Sequence, residues 1–128
     1  MTQLKKGDRV LTLFHQSHLA GEITAADTMT GIGSIIDGTL RQYGAFEERG
    51  LVKMPESLDY KQASTLPCAA VTAWNGLYGI EGKALRPGDT VLTQGTGGVS
   101  MFALQVCLLS SVAACPLPQP PLNKSAPS

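Results

Sequence analysis

The stretch RPGDTVLTQGTGGVSMFAL, residues 86–104, constrains the fold of this chain more than any other. Thr90 to Gln94 suits a buried strand, and Met101, Leu104 and Leu108 recur on one helical face. Between them stand Gly95, Gly97 and Gly98, which let the backbone turn sharply and admit a close neighbour. Amides opening the following helix offer donors and a partial positive charge. Strand, glycine turn and helix in this order suit the pyrophosphate of a dinucleotide, with Gly95, Thr96, Gly97, Gly98, Val99 and Ser100 as the phosphate turn. Glycine turns also join strands to helices where no ligand binds. Here the Pro87-Gly88-Asp89 turn ahead of the strand and the apolar helix behind the glycines weigh toward the nucleotide. Ser100 stands where many such motifs carry their last glycine, which predicts slightly looser packing of helix on strand.

A dinucleotide fold needs further βα units, and an acidic or basic residue about twenty positions on to read the ribose. The chain instead runs through Val106-Cys107-Leu108-Leu109-Ser110-Ser111 into Pro116-Leu117-Pro118-Gln119-Pro120-Pro121. Proline cannot continue a helix or donate within a sheet, so residues 110–128 are expected to be disordered or extended polyproline II. A nucleotide site begun in this way, and not completed, predicts weak binding.

Ten basic and ten acidic residues cancel, with no dense basic run, which argues against nucleic acid or an anionic membrane as the main partner. Cys68, Cys107 and Cys115 form no C-x-x-C pair, and the N-terminus shows no apolar targeting segment. Reduced thiols in a cytoplasmic protein are expected. Val99 to Cys115 is apolar, yet it is shorter than the ~20 residues a spanning helix needs. Ser100, Gln105, Ser110 and Ser111 interrupt it.

Upstream, Arg9 to Phe14 reads as a strand, Leu19 to Gly38 as a long loop, and Leu40 to Phe46 and Leu51 to Met54 as short strands. Asp59 and Gln62 fit a capping box opening a helix. A second helix is expected to start near Pro67 and end near Gly79.

Gly7-Asp8-Arg9-Val10, LVKMPESLDYKQASTLPCAAVTAWNGLYG and PGDTVLTQGTGGVSMFALQ follow one another in an order and spacing that resembles the medium-chain dehydrogenase/reductase superfamily. Within it they look most like the zinc-independent, quinone-reductase-like alcohol dehydrogenase relatives. The resemblance covers about Lys5 to Gln105 and implies a mixed α/β and irregular β fold. A partial GroES-like β domain would be followed by the first βα unit of a Rossmann fold. The expected divisions are 1–58 for the β domain, 59–88 for connecting helices, 89–109 for the start of the NAD(P)-binding domain and 110–128 for the proline-rich tail. From Val106 the resemblance fades, and the chain reads as truncated at both ends.

Thr72, in the Val71-Thr72-Ala73-Trp74 segment, carries a hydroxyl at a helix start that can meet a nicotinamide or its ribose, and the resemblance points the same way. A helical threonine bonding back to a preceding carbonyl is the equal alternative. In zinc-dependent members of the superfamily a cysteine four residues before the equivalent threonine binds metal, and Cys68 has that spacing. A tetrahedral site needs three protein ligands, so Cys68 is expected to be structural, with no metal site and no zinc. His15 and His18 lack a third ligand. Trp74 and Tyr78 are expected to pack on each other, and Glu47-Glu48 to form a solvated turn.

The resemblance implies NADP or NAD as cofactor and a small-molecule carbonyl, alcohol or enone as substrate, with the hydride chemistry belonging to the nicotinamide. Catalytic residues are not assignable from this chain. The chain is expected to be an oxidoreductase fragment, weakly active or inactive alone. The alternatives are a non-enzymatic remnant that associates with a full-length relative or with itself as a homo-oligomer, and a coding sequence read through an intron near Val106.

Overall fold

The computed structural model describes residues 4–110 and 112–117. Contacts divide the chain into two units, Met1–Pro67 and Cys68–Ser128.

In the first unit β1, Val10–Thr12, pairs antiparallel with β2, Leu51–Lys53, placing Leu11 opposite Val52. The ladder is prolonged at both ends, where the Leu13 amide donates to the Gly50 carbonyl and the Met54 amide to that of Arg9, each at 2.8 Å. The expected strands at Arg9–Phe14 and Leu51–Met54 are thus present in shortened form. Leu40 to Phe46 forms no strand. No described strand pairs with it; the Arg41 amide turns back to the Thr39 carbonyl, and the Arg41 guanidinium lies 5.2 Å from the centre of the Phe46 ring. A short strand candidate without a partner strand does not make a strand.

The long Leu19–Gly38 loop holds one helical turn, α1, Ala25–Thr28. A capping box made by Thr24 and Asp27 starts it, in a segment with no apolar period to announce a helix. The expected box of Asp59 and Gln62 opens α2, Tyr60–Ala63, with the Gln62 amide 2.7 Å from the Asp59 carboxylate. Arg9 fastens the entry to α2 by donating to the Leu58 carbonyl and lying 5.0 Å from the centre of the Tyr60 ring. Among the described residues, Ile32, Met54 and Ala63 are the buried apolar side chains of this unit.

A π-helical turn, Leu66–Ala70, leads into α3, Val71–Tyr78, which closes at Gly79. The second unit then forms β3, Thr90–Gln94, α4, Gly98–Leu109, and β4, Ala113–Leu117. β3 and β4 are parallel neighbours, in register from Thr90–Ala113 to Gln94–Leu117. A parallel pair needs a crossover of a dozen or more residues, and α4 supplies it.

This corrects two expectations. The chain completes a βαβ unit where a lone βα unit was expected, and residues 113–117 form a strand where disorder or polyproline II was expected. The Val112 amide closes on the Cys107 carbonyl at 3.0 Å, which turns the chain back at the helix end. Among the described residues β4 pairs only with β3, and an edge strand is where proline is found in sheets. The remainder of the proline-rich tail, residues 118–128, lies outside the described residues.

The buried face of α4 is also not the expected one. Ala103 and Cys107, four apart, are its buried side chains, whereas Met101 and Leu108 are exposed and Leu104 is half-buried. Small side chains let the helix approach its neighbours α3, β3 and β4 closely, leaving the larger ones at the margin. On β3, Leu92 is 62% exposed and Thr93 only 5%.

Candidate functional site

Of the three glycines between β3 and α4, two answer to different local needs and one to neither. Gly95 has φ +79°, a left-handed conformation that side-chain-bearing residues rarely adopt. Gly98 opens α4 with its Cα facing the preceding helical turn. A Cβ there would lie 3.2 Å from the Ala69 Cβ. Gly97 answers to neither need. Its φ of −71° and ψ of 167° suit any residue, and a Cβ added there would meet nothing within 4 Å. The space in front of Gly97 is therefore open, immediately beside the helix N-terminus.

Gly97 is the N-cap of α4 and offers no side-chain cap, so the first amides of the helix remain available as donors. The first intrahelical bond runs from the Met101 amide to the Gly97 carbonyl at 3.0 Å. No acidic residue occupies the first turn, which leaves the helix dipole uncompensated there. The Ser100 hydroxyl donates to the Gln94 carbonyl at 2.9 Å, across the turn. Thr96 and Val99 are exposed on its outer side.

The close approach of Gly98 and Ala69 sets the end of the π-helical turn beside the start of α4. Thr72 follows three residues after Ala69, in the first turn of α3, with its side chain exposed. Its hydroxyl has no hydrogen bond among the described residues, so the alternative in which it bonds back to a helix carbonyl is not realised. Cys68 is free and exposed within the π-helical turn. Among the described residues no three metal-ligating side chains gather to hold an ion.

The remaining candidates lie elsewhere. The His15 ring stands edge-on to Phe14, with centroids 4.7 Å apart, and its buried Nδ1 has no partner among the described residues. His18 Nδ1 is 3.8 Å from the Asp27 carboxylate. Asp27 is the hub of that loop. It accepts from the Ser17 hydroxyl at 2.6 Å, the Thr24 hydroxyl at 2.7 Å and the Thr24 amide at 3.0 Å. Ser17 first, then Thr24 and the nearby His18, hold its carboxyl well below the usual carboxylate range. Trp74 and Tyr78 pack as expected, centroids 4.7 Å apart, and the Tyr78 hydroxyl lies 2.8 Å from that of Ser110. Glu47 pairs with Arg49 and Glu48 accepts from the Leu4 amide, in an exposed turn. An open depression of about 360 Å³ in the first unit, walled by Val10, Phe14, Ile32 and Tyr60, contains none of the expected site residues.

Two features escaped the sequence. Ala69 could not be found, because nothing in the sequence ties it to Gly98. Thr93 carries a buried hydroxyl with no partner among the described residues, and its only trace in the sequence is a polar residue within a strand.

No protein-family model matches the chain. It is 44% identical over 104 residues to a zinc-type alcohol dehydrogenase-like protein of Schizosaccharomyces pombe, covering 81% of this chain and 30% of that protein. It is 30% identical over 103 residues to a human quinone oxidoreductase, covering 80% and 25%. A crystal structure of a putative alcohol dehydrogenase from Sinorhizobium meliloti superposes with a TM-score of 0.79 at 38% identity, covering 90% of this chain and 34% of that one. The chain thus spans about a third or less of the length of these relatives. Among the described residues no helix is long and apolar enough to cross a membrane.

Proposed function

The chain belongs to the medium-chain dehydrogenase/reductase superfamily, and from that premise we propose that its second unit receives the diphosphate of NADP or NAD for hydride transfer to or from a small alcohol, carbonyl or enone. Gly97 carries this reading. A glycine demanded by neither its own dihedral angles nor its neighbours, at the mouth of a helix with free amides, leaves room for something outside the chain. Gly95, Thr96, Gly97, Gly98, Val99 and Ser100 make up the turn, and the hydroxyl of Thr72 is free to meet the nicotinamide end. When bound, the nicotinamide supplies the hydride chemistry. Among the described residues Cys68 stands without two further metal-ligating side chains.

Residues 90–123 contain no charged side chain, so the diphosphate is held by backbone dipoles. With few contacts to repay the cost of association, affinity is about millimolar or weaker. Titrating NADPH and NADH into the isotope-labelled chain should shift the Gly97 to Ser100 amides, with little dependence on added salt. Gly97→Val should abolish those shifts while leaving the far-UV circular dichroism unchanged. Silence of these amides at roughly ten-fold the expected dissociation constant, or equal shifts in the valine variant, would refute the proposal.

Association is the second reading, favoured by Leu92, Leu108 and Leu109, which stand exposed in the same unit. A chain of this kind would join a longer relative, or a second copy of itself, through that apolar surface. Sedimentation that remains monomeric to millimolar concentration would dispose of self-association.

A further inference from the structure

We propose that Ser100 is a positioning residue, whose hydroxyl holds the glycine turn in its ligand-receiving shape and does not itself donate to the diphosphate. This rests on the nucleotide reading above for the ligand, but the fastening is a property of the chain alone.

The geometry is specific. Ser100 sits in the first turn of α4, three residues after the N-cap Gly97, and its hydroxyl reaches back to the carbonyl of Gln94, the last residue of β3, at 2.9 Å. A usual N-cap uses a side chain outside the helix to bind amides within it. Gly97 has no side chain, and Ser100 provides a tie in the opposite sense, from inside the helix to the strand before it. The bond closes a segment that includes Gly95, Gly97 and Gly98, the residue type that loses most conformational freedom on ordering.

Hydroxyl chemistry then fixes the role. Serine has one proton to give. That proton is committed to the Gln94 carbonyl, and what remains on Oγ are lone pairs. A phosphate oxygen only accepts, so it gains nothing from Ser100 unless the tie to β3 is broken. The amides opening α4 are left as the donors to the diphosphate. A glycine at position 100 would keep the space and lose the tie.

The test compares Ser100→Ala and Ser100→Thr in the full chain by two measurements. One is hydrogen exchange of the Met101 amide, which reports the first turn of α4, without nucleotide. The other is the NADPH titration. Alanine is the better helix former, so a propensity effect alone would slow exchange. Loss of the tie predicts the reverse: exchange at least about five-fold faster in Ser100→Ala, with nucleotide affinity weakened by a similar factor. Threonine is a poorer helix former yet keeps the hydroxyl, and should restore both to within about two-fold. Unchanged or slower exchange in Ser100→Ala overturns the proposal. So does weakened binding with unchanged exchange, which would mean that the hydroxyl touches the ligand directly. If the parent chain binds no nucleotide but exchange responds as expected, the tie stands and the nucleotide reading falls.

Discussion

At the scale of single residues, polar groups without partners and polar groups with many partners have opposite consequences. The Thr93 hydroxyl is buried and has no partner among the described residues, a state that costs about 1–3 kcal/mol. Thr93→Val keeps the shape and removes the orphan, and should stabilise the second unit by about 1 kcal/mol in urea unfolding. A loss of stability would mean that the hydroxyl is satisfied after all. Asp27 is the opposite case, with three donors to its carboxylate. Its folded-state pKa lies below the unfolded value of about 3.9. The contribution is therefore complete above that value and is lost as pH falls toward the folded-state value. Asp27→Asn should flatten the acid limb of the stability profile of the first unit, and a profile identical to the parent's would rule the hub out as its cause.

At the scale of elements, the face of α4 that packs is the narrow one. Ala103→Leu should cost about 1–3 kcal/mol by overpacking a site built for close approach. Leu108→Gln, on a side chain 77% exposed, should change stability by less than about 0.5 kcal/mol. Similar costs for the two would contradict the burial described above. Much of this level was legible in the sequence. The Asp59–Gln62 box, β3 with its glycine turn, and the end of α3 near Gly79 all rest on signals local to a few residues. What escaped depends on partners. Leu40 to Phe46 is a short strand candidate with no partner strand among the described residues, and residues 113–117 contain a proline yet gain a neighbour in β3. The apolar stripe on α4 depends on partners too: spacing puts Met101, Leu104 and Leu108 on one face, and packing buries Ala103 and Cys107 instead. In the candidate site the glycine positions were legible, but their separate causes were not. The crowding of Gly98 comes from Ala69, and the freedom of Gly97 is visible only once its surroundings are known.

At the scale of the molecule, the crossover between β3 and β4 dictates an order of events. Antiparallel strands can close from a short turn, residue by residue, but β4 reaches β3 only across residues 95–112. Winding Gly98–Leu109 into a helix about 18 Å long shortens that connection and delivers β4 to its register. Until then the search carries the full entropy of an open loop. Ala103→Gly weakens the helix at its buried centre and should slow refolding of the second unit several-fold in stopped-flow measurements, with a smaller effect on unfolding. An effect confined to the unfolding rate would place the helix after the strands. On this account β4 is the later strand to arrive, and it arrives only as fast as α4 can form.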